Sequence, residues 1–334
     1  MDAEFEQEFI NPAPMHGVQE NVAPTPAAVT WTDITEFQVY APEGGTTLYA
    51  NGKQQLKVRV SIRVKYKGLA TVELDEQTLS TLTLVDSGTG TPLINDRFNP
   101  GDPIGWRYAL ERNETFKPLP YQGPIVAGVE GTKVYSRDFY VSTTASTSIL
   151  LSASVTRSDG TIFYSEAIKA HGRVTLNSTP PAVYLPTQFQ LALHGKAQYE
   201  SKNIFKVEVY QLRLIVEQHQ VDILKVVSVY PLVFLRKSSH PDYLGYYTAA
   251  YLKGEEQPYG WLPKFEMPHV QAKYHDSPGA VTFLMSYAKK GGDSQIRTEH
   301  DAWTLELLDM YGNTHIVKIK ATEDSPPLLK LSRY

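Results

Sequence analysis

The stretch from Gln54 to Tyr66 constrains this chain more than any other: Leu56, Val58, Val60, Ile62, Val64 and Tyr66 alternate strictly with Lys57, Arg59, Ser61, Arg63 and Lys65. Successive side chains of a β-strand point to opposite faces, so this pattern describes one long strand, apolar on the core side and cationic on the solvent side, of an antiparallel sheet. A helix would scatter the same apolar positions around its cylinder. The expected fold class is all-β.

Further strand signals surround it. Ile34 to Tyr40 precedes a Pro42-Glu-Gly-Gly turn, and Leu79 to Val85, Val134 to Thr143 and a hairpin from Ile149 to Ser165 follow. In that hairpin Ser158-Asp159-Gly160 is the turn, because glycine supplies the positive φ that tight hairpins require. Phe98 to Gln122 is rich in Pro, Gly and aromatic residues and reads as a long ordered loop. No amphipathic helix of three turns stands out.

After Asn177-Ser-Thr-Pro-Pro the pattern restarts. Phe189-Gln-Leu-Ala-Leu and Phe205-Lys-Val-Glu-Val-Tyr follow in the order of Phe37-Gln-Val-Tyr and Leu56-Lys-Val-Arg-Val, and the segment Leu305 to Ile319 answers the first hairpin. Placing Val58 on Val207 gives an offset of 149 and Gly160 on Gly312 gives 152, which points to a tandem duplication of one β-sandwich. A length of 334 residues also suits two domains of about 150 residues each. The expected organisation is an extended arm and linker over 1–30, a first antiparallel sandwich over 31–178 and a second over 182–334.

The arm has its own chemistry. Residues 1–52 contain no Lys or Arg and carry a formal charge of −8, against −4 for the whole chain. An acidic head bearing Phe5, Phe9 and Ile10 is followed by a linker in which Pro12, Pro14, Pro24 and Pro26 forbid a continuous helix and favour an extended tether. Phe5, Phe9 and Ile10 lie at helical spacing and mark the head as an assembly arm. Lys57, Arg59, Arg63 and Lys65 read as an exposed sheet face that discourages edge aggregation, or alternatively as the face that receives the acidic arm. The first residues lack the cationic start and apolar run of a Sec signal. The expectation is a protein made in the cytoplasm and built into a particle or released without Sec.

Two segments of the first unit, Leu48-Tyr-Ala-Asn-Gly-Lys-Gln-Gln-Leu-Lys-Val-Arg-Val-Ser-Ile and Leu151-Ser-Ala-Ser-Val-Thr-Arg-Ser-Asp-Gly, carry a family resemblance. Over about residues 34–176 the chain resembles bacterial immunoglobulin-like domains of the invasin and intimin type. The resemblance implies immunoglobulin-like sandwiches serving as spacer, adhesion or particle-decoration modules with no chemistry of their own.

Signatures of catalysis are missing. There is no Gly-x-Ser-x-Gly, and the Gly52-Lys53 and Gly195-Lys196 pairs lack the rest of a phosphate loop. Without cysteine there are no disulfides, thiolate metal sites or cysteine nucleophiles, and no two histidines take the i, i+2 or i, i+4 spacing of a metal site. Neither a metal nor a cofactor is expected. Nucleic acid is not an expected partner either, because the cations lie on strand faces without interleaved aromatic residues.

The stretch from His240 to Trp261 is the most functional in appearance. Tyr243, Tyr246, Tyr247, Tyr251, Tyr259 and Trp261 form an expected aromatic loop, and Phe98, Trp106 and Tyr108 a second one in the first unit. Amphipathic rings of this kind stack on sugars, anchor interfaces or plug the end of a sandwich. The leading expectation is a non-enzymatic structural or interaction protein of a phage, a phage-tail-like particle or another assembly, self-associating or tied to partner proteins through its arm. A carbohydrate- or receptor-binding protein, lectin-, adhesin- or toxin-like, that uses the aromatic loops is the alternative, and a glycan-acting hydrolase the third.

Overall fold

The computed structural model describes residues 31–67, 70–97, 102–121, 123–125, 133–168, 171–197, 204–227, 234–237, 243–251, 277–289, 302–322 and 329–332. The fold is all-β.

The first half contains β1 (Asp33–Tyr40), β2 (Thr47–Tyr49), β3 (Leu56–Tyr66), β4 (Ala70–Val72), β5 (Thr83–Asp86), β6 (Thr91–Pro92), β7 (Ile94–Asn95), β8 (Trp106–Ala109), β9 (Tyr135–Thr143), β10 (Ser148–Thr156), β11 (Ile162–Tyr164) and β12 (Val174–Thr179). One sheet runs β1-β3-β9-β8-β7, with β4 on β3, and the other β2-β12-β10-β5-β6, with β11 on β10. Their inner faces meet around Phe37, Val58, Val60, Ile62, Phe139, Leu151 and Leu176, closed at one end by Trp31. Most pairings are antiparallel, but β12 lies parallel to β2, from Asn177 opposite Thr47 to Thr179 opposite Tyr49.

Three expectations for this half are corrected. The strand expected from Leu79 begins only at Thr83, because Asp75 accepts the Thr78 backbone N–H at 2.6 Å and caps a one-turn helix, α1 (Glu76–Ser80). Trp106 and Tyr108 lie on β8 rather than in a loop, with Tyr108 opposite Val141 and its ring edge-on to Phe139. The cationic face of β3 is not open to an acidic arm. Arg59 and Lys57 reach Asp138 of β9 at 2.6 and 2.9 Å, and Arg63 reaches Glu36 of β1 at 2.9 Å. The neighbouring strands already supply the counter-charges, and the Arg59 hydrogen bond holds the Asp138 carboxyl below its ordinary pKa.

The second half contains β13 (Phe189–Ala197), β14 (Ile204–Val216), β15 (His219–Val221), β16 (Ile223–Val227), β17 (Phe234–Lys237), β18 (Tyr243–Tyr251), β19 (Val281–Lys289), β20 (Trp303–Asp309), β21 (Thr314–Ala321) and β22 (Leu329–Ser332). Its sheets run β13-β14-β19-β18-β17, with β15 on β14, and β16-β20-β21-β22. They enclose a second core around Tyr210, Leu212, Leu214, Phe283, Tyr287, Trp303, Leu305 and Leu307.

The two halves pair their strands in the same way. Phe37 opposes Ile62 as Phe189 opposes Leu214, and Val155 opposes Phe163 as Leu307 opposes His315, each residue and its counterpart 152 positions apart. Gly160 and Gly312 have the same separation and the same φ of +86°. Val58 therefore corresponds to Tyr210, and the expected match to Val207 is a register error: an odd shift on a strand exchanges its faces. The slip has a physical origin. The apolar alternation of β14 changes phase along the strand, with Val207 and Val209 buried on one face and Tyr210, Leu212 and Leu214 in the core on the other.

The halves touch through the second hairpin. Asn51 Nδ2 donates to the Tyr311 carbonyl at 2.9 Å and to Asn313 Oδ1 at 3.0 Å, and the Lys117 N–H donates to the Met310 carbonyl at 2.8 Å. A Cβ on Gly312 would stand 2.9 Å from Lys53 Cβ, whereas one on Gly160 would meet nothing within 4 Å.

Candidate functional site

Next to that contact, the chain connecting the halves does not enter the second unit as it enters the first. In the first unit β1 is already paired to β3 at Asp33, four residues before Phe37. The equivalent stretch before Phe189 contains Pro186, which has no N–H to donate, and closes instead into a 3₁₀ turn over Pro186–Gln188. The missing strand end leaves a groove of about 460 Å³ between Ala182–Pro186, Phe189, the first half of β21 and the end of β22.

The groove is apolar at its lips and polar beneath. Val183, Leu185 and Ile316 are 92%, 65% and 57% exposed, an unusual amount of aliphatic surface for one place. Below them His315 lies 6% exposed, its ring 4.9 Å from that of Tyr184 and 6.0 Å from that of Phe189. His315 Nε2 is 2.9 Å from Asp309 Oδ2. The fully buried Asp309 carboxylate also accepts the Tyr311 and Asn313 N–H groups at 2.9 and 2.8 Å and Asn313 Nδ2 at 3.1 Å. It is a filled acceptor, and it holds the hairpin shut.

Around it, burial raises the hydroxyl pKa of Tyr184, of Tyr49 and of Tyr311, with the Asp309 charge acting in the same direction on each. These phenols stay protonated and serve as hydrogen-bonding walls. The arrangement positions the imidazole against the groove and fixes the hairpin beneath the first unit. A second buried carboxylate, Glu208, accepts the Tyr287 hydroxyl at 2.7 Å and that of Tyr210 at 3.2 Å inside the second core. Among the described residues, no cluster of three His, Asp or Glu side chains is placed to hold a metal ion, and no helix is long and apolar enough to cross a membrane.

The residues expected to form a site fall elsewhere. Tyr243, Tyr246, Tyr247 and Tyr251 belong to β18, paired with β17 and β19, and are not in a loop. Tyr259, Trp261, Phe98, Phe5, Phe9 and Ile10 lie outside the described residues. Asp309, His315, Tyr184 and Asn51 belong to no motif of the sequence, since they are separated along the chain and meet only in the folded structure. The usable signal was the hairpin itself, since the Asp309 N–H donates to the Asn313 carbonyl and folds residue 315 back beside residue 309.

No family model matches this chain, and no curated protein matches it.

Proposed function

We propose that the chain is a non-enzymatic structural or interaction protein, built from two tandem immunoglobulin-like sandwiches that arose by duplication of one unit. Its setting is a larger protein assembly, of which a phage or phage-tail-like particle is the best instance, and residues 1–30 are the arm that ties it to its neighbours. The observation that carries this reading is the joint between the halves. Asn51 bridges to Tyr311 and Asn313, Gln54 Nε2 donates to the Lys117 carbonyl at 2.8 Å, and Lys117 in turn bonds Met310. Polar side chains that a catalyst would aim at a substrate are used to fix one unit on the next, which suits a protein whose task is to hold geometry.

The repeated strand pairing supports the duplication, and the charge contrast between residues 1–52 and the remainder supports an electrostatic arm. Light scattering on the intact chain and on a chain starting at Val29, each at low and high salt, tests the reading. Defined oligomers of the intact chain that dissociate on truncation are expected. Identical monomers in all four conditions would remove the arm from the account.

A further inference from the structure

The groove beside His315 has a counterpart in the first unit that shows what it accepts. At that place Trp31 is fully buried with its ring 5.0 Å from Phe163, the residue equivalent to His315, and Ile34 packs on the same core. The first unit fills the space with an aromatic ring and a β-branched side chain carried on an extended segment. The second unit has the smaller Tyr184 against His315, and after it the chain turns away at Pro186. Tyr184 takes the ring contact of Trp31, and what remains open is the place of the strand end that carries Ile34, an apolar space of about 460 Å³ that can take a side chain as large as an aromatic ring from an incoming extended strand.

Charge narrows the occupant. Lys318 lines the groove, and Lys320 and Lys330 stand opposite each other on β21 and β22. None of the three makes an ion pair among the described residues, in contrast to Lys57, Arg59 and Arg63 of β3. An acidic, aromatic-bearing segment would supply what this edge lacks. The chain contains one: Asp2, Glu4, Glu6 and Glu8 interleaved with Phe5, Phe9 and Ile10.

We propose that this groove is the receptor for the acidic head, residues 2–10, of a second copy of the chain, with Phe5 or Phe9 inserted beside His315 and the carboxylates facing Lys318, Lys320 and Lys330. The inference rests on the assembly reading above and names its contact. Direction and stiffness favour docking between copies over docking within one chain. From Trp31, β1 runs toward the joint between the units, since Asp33 pairs with Lys65 and Tyr40 with Arg59. The arm therefore begins at the far end of the first unit, and a tether containing Pro12, Pro14, Pro24 and Pro26 would have to reverse along the whole sandwich to reach its own groove.

The test uses full-length chains with exchanged charges: Lys318→Glu/Lys330→Glu on the groove and Glu6→Lys/Glu8→Lys on the head, followed by light scattering across a concentration series. Each variant alone should need at least a tenfold higher concentration to assemble, and a mixture of the two should recover the wild-type midpoint. Phe9→Ala in the wild-type background should weaken assembly without altering the melting temperature. If the head exchange abolishes assembly while the groove exchange leaves it intact, the arm binds elsewhere: the groove assignment falls and the assembly reading stands. A wild-type chain that is monomeric at every concentration and salt sinks both. A monomer that binds a labelled peptide of residues 1–12 only after the groove's own head has been charge-reversed would show docking within one chain and overturn the exchange between copies.

Discussion

Hairpins 158–160 and 310–312 turn through the same geometry: the Gly160 N–H donates to the Arg157 carbonyl at 2.8 Å and the Gly312 N–H to the Asp309 carbonyl at 3.0 Å, both glycines at φ +86°. Their surroundings differ completely. At the first, Arg157 and Asp159 meet at 2.7 Å at the surface, Asp159 exposed and the guanidinium half-covered 5.6 Å from the Trp31 ring. At the second, the residue in the place of Arg157 is Asp309, wholly buried beneath the first unit. One turn carries two kinds of clamp, and exposure decides which. A solvated hairpin can be held by an ion pair, whereas a covered one needs an acceptor whose every lone pair is used.

Equivalent substitutions sharpen this comparison. The largest effect is expected in the cores, where Phe139 opposes Val58 and Phe283 opposes Tyr210. Either Phe→Ala change should cost roughly 3–5 kcal/mol, and calorimetry should show whether one melting transition moves or two. If Phe283→Ala lowers both transitions equally, the joint couples the units more tightly than the cores separate them. Asp309→Ala follows, at about 2–4 kcal/mol, because it strips partners from buried donors. Asp159→Ala should leave the melting temperature nearly unchanged, and equal losses at the two turns would break the contrast.

Smaller differences are expected at the glycines and at the charged ladder. Gly160→Ala should cost about 1–2 kcal/mol for its left-handed backbone, and Gly312→Ala more, since its Cβ must also displace Lys53. Chemical denaturation of the pair measures the difference directly. The least effect belongs to Asp138, about a quarter exposed and held by Arg59 and Lys57. Its folded pKa lies below the unfolded one, so its contribution is complete above the ordinary carboxylate range and is lost as pH falls through that range and below it. Asp138→Asn should flatten the acid limb of stability by no more than about 1 kcal/mol, with no change at the second unit, where Gln211 opposes Thr282 in the equivalent position.

How far the sequence could be read follows from the same contrast. β3 was legible along its length because only one of its faces is apolar, and the Ser158-Asp159-Gly160 turn because glycine at positive φ is a local requirement. β14 was recognisable as a strand yet misplaced by an odd number of residues, since its apolar alternation switches faces between Val209 and Tyr210 and the first run alone points to the wrong face. The groove was not legible at all. It depends on Pro186 interrupting a pairing that its equivalent makes, and on the contact of Asp309 with His315 across a hairpin whose turn the sequence shows but whose side-chain partners it does not.

The parallel seam of β12 against β2 has a mechanical meaning. β12 is the last strand of the first unit, and the chain leaves along it toward the second, with the Asn177 N–H bonded to the Thr46 carbonyl and the Ala50 N–H to the Thr179 carbonyl, both at 2.8 Å. A pull on the second unit is directed along this strand. The bonds on its flank then bear the load together in shear instead of opening one after another, so tension would be resisted where the two units join.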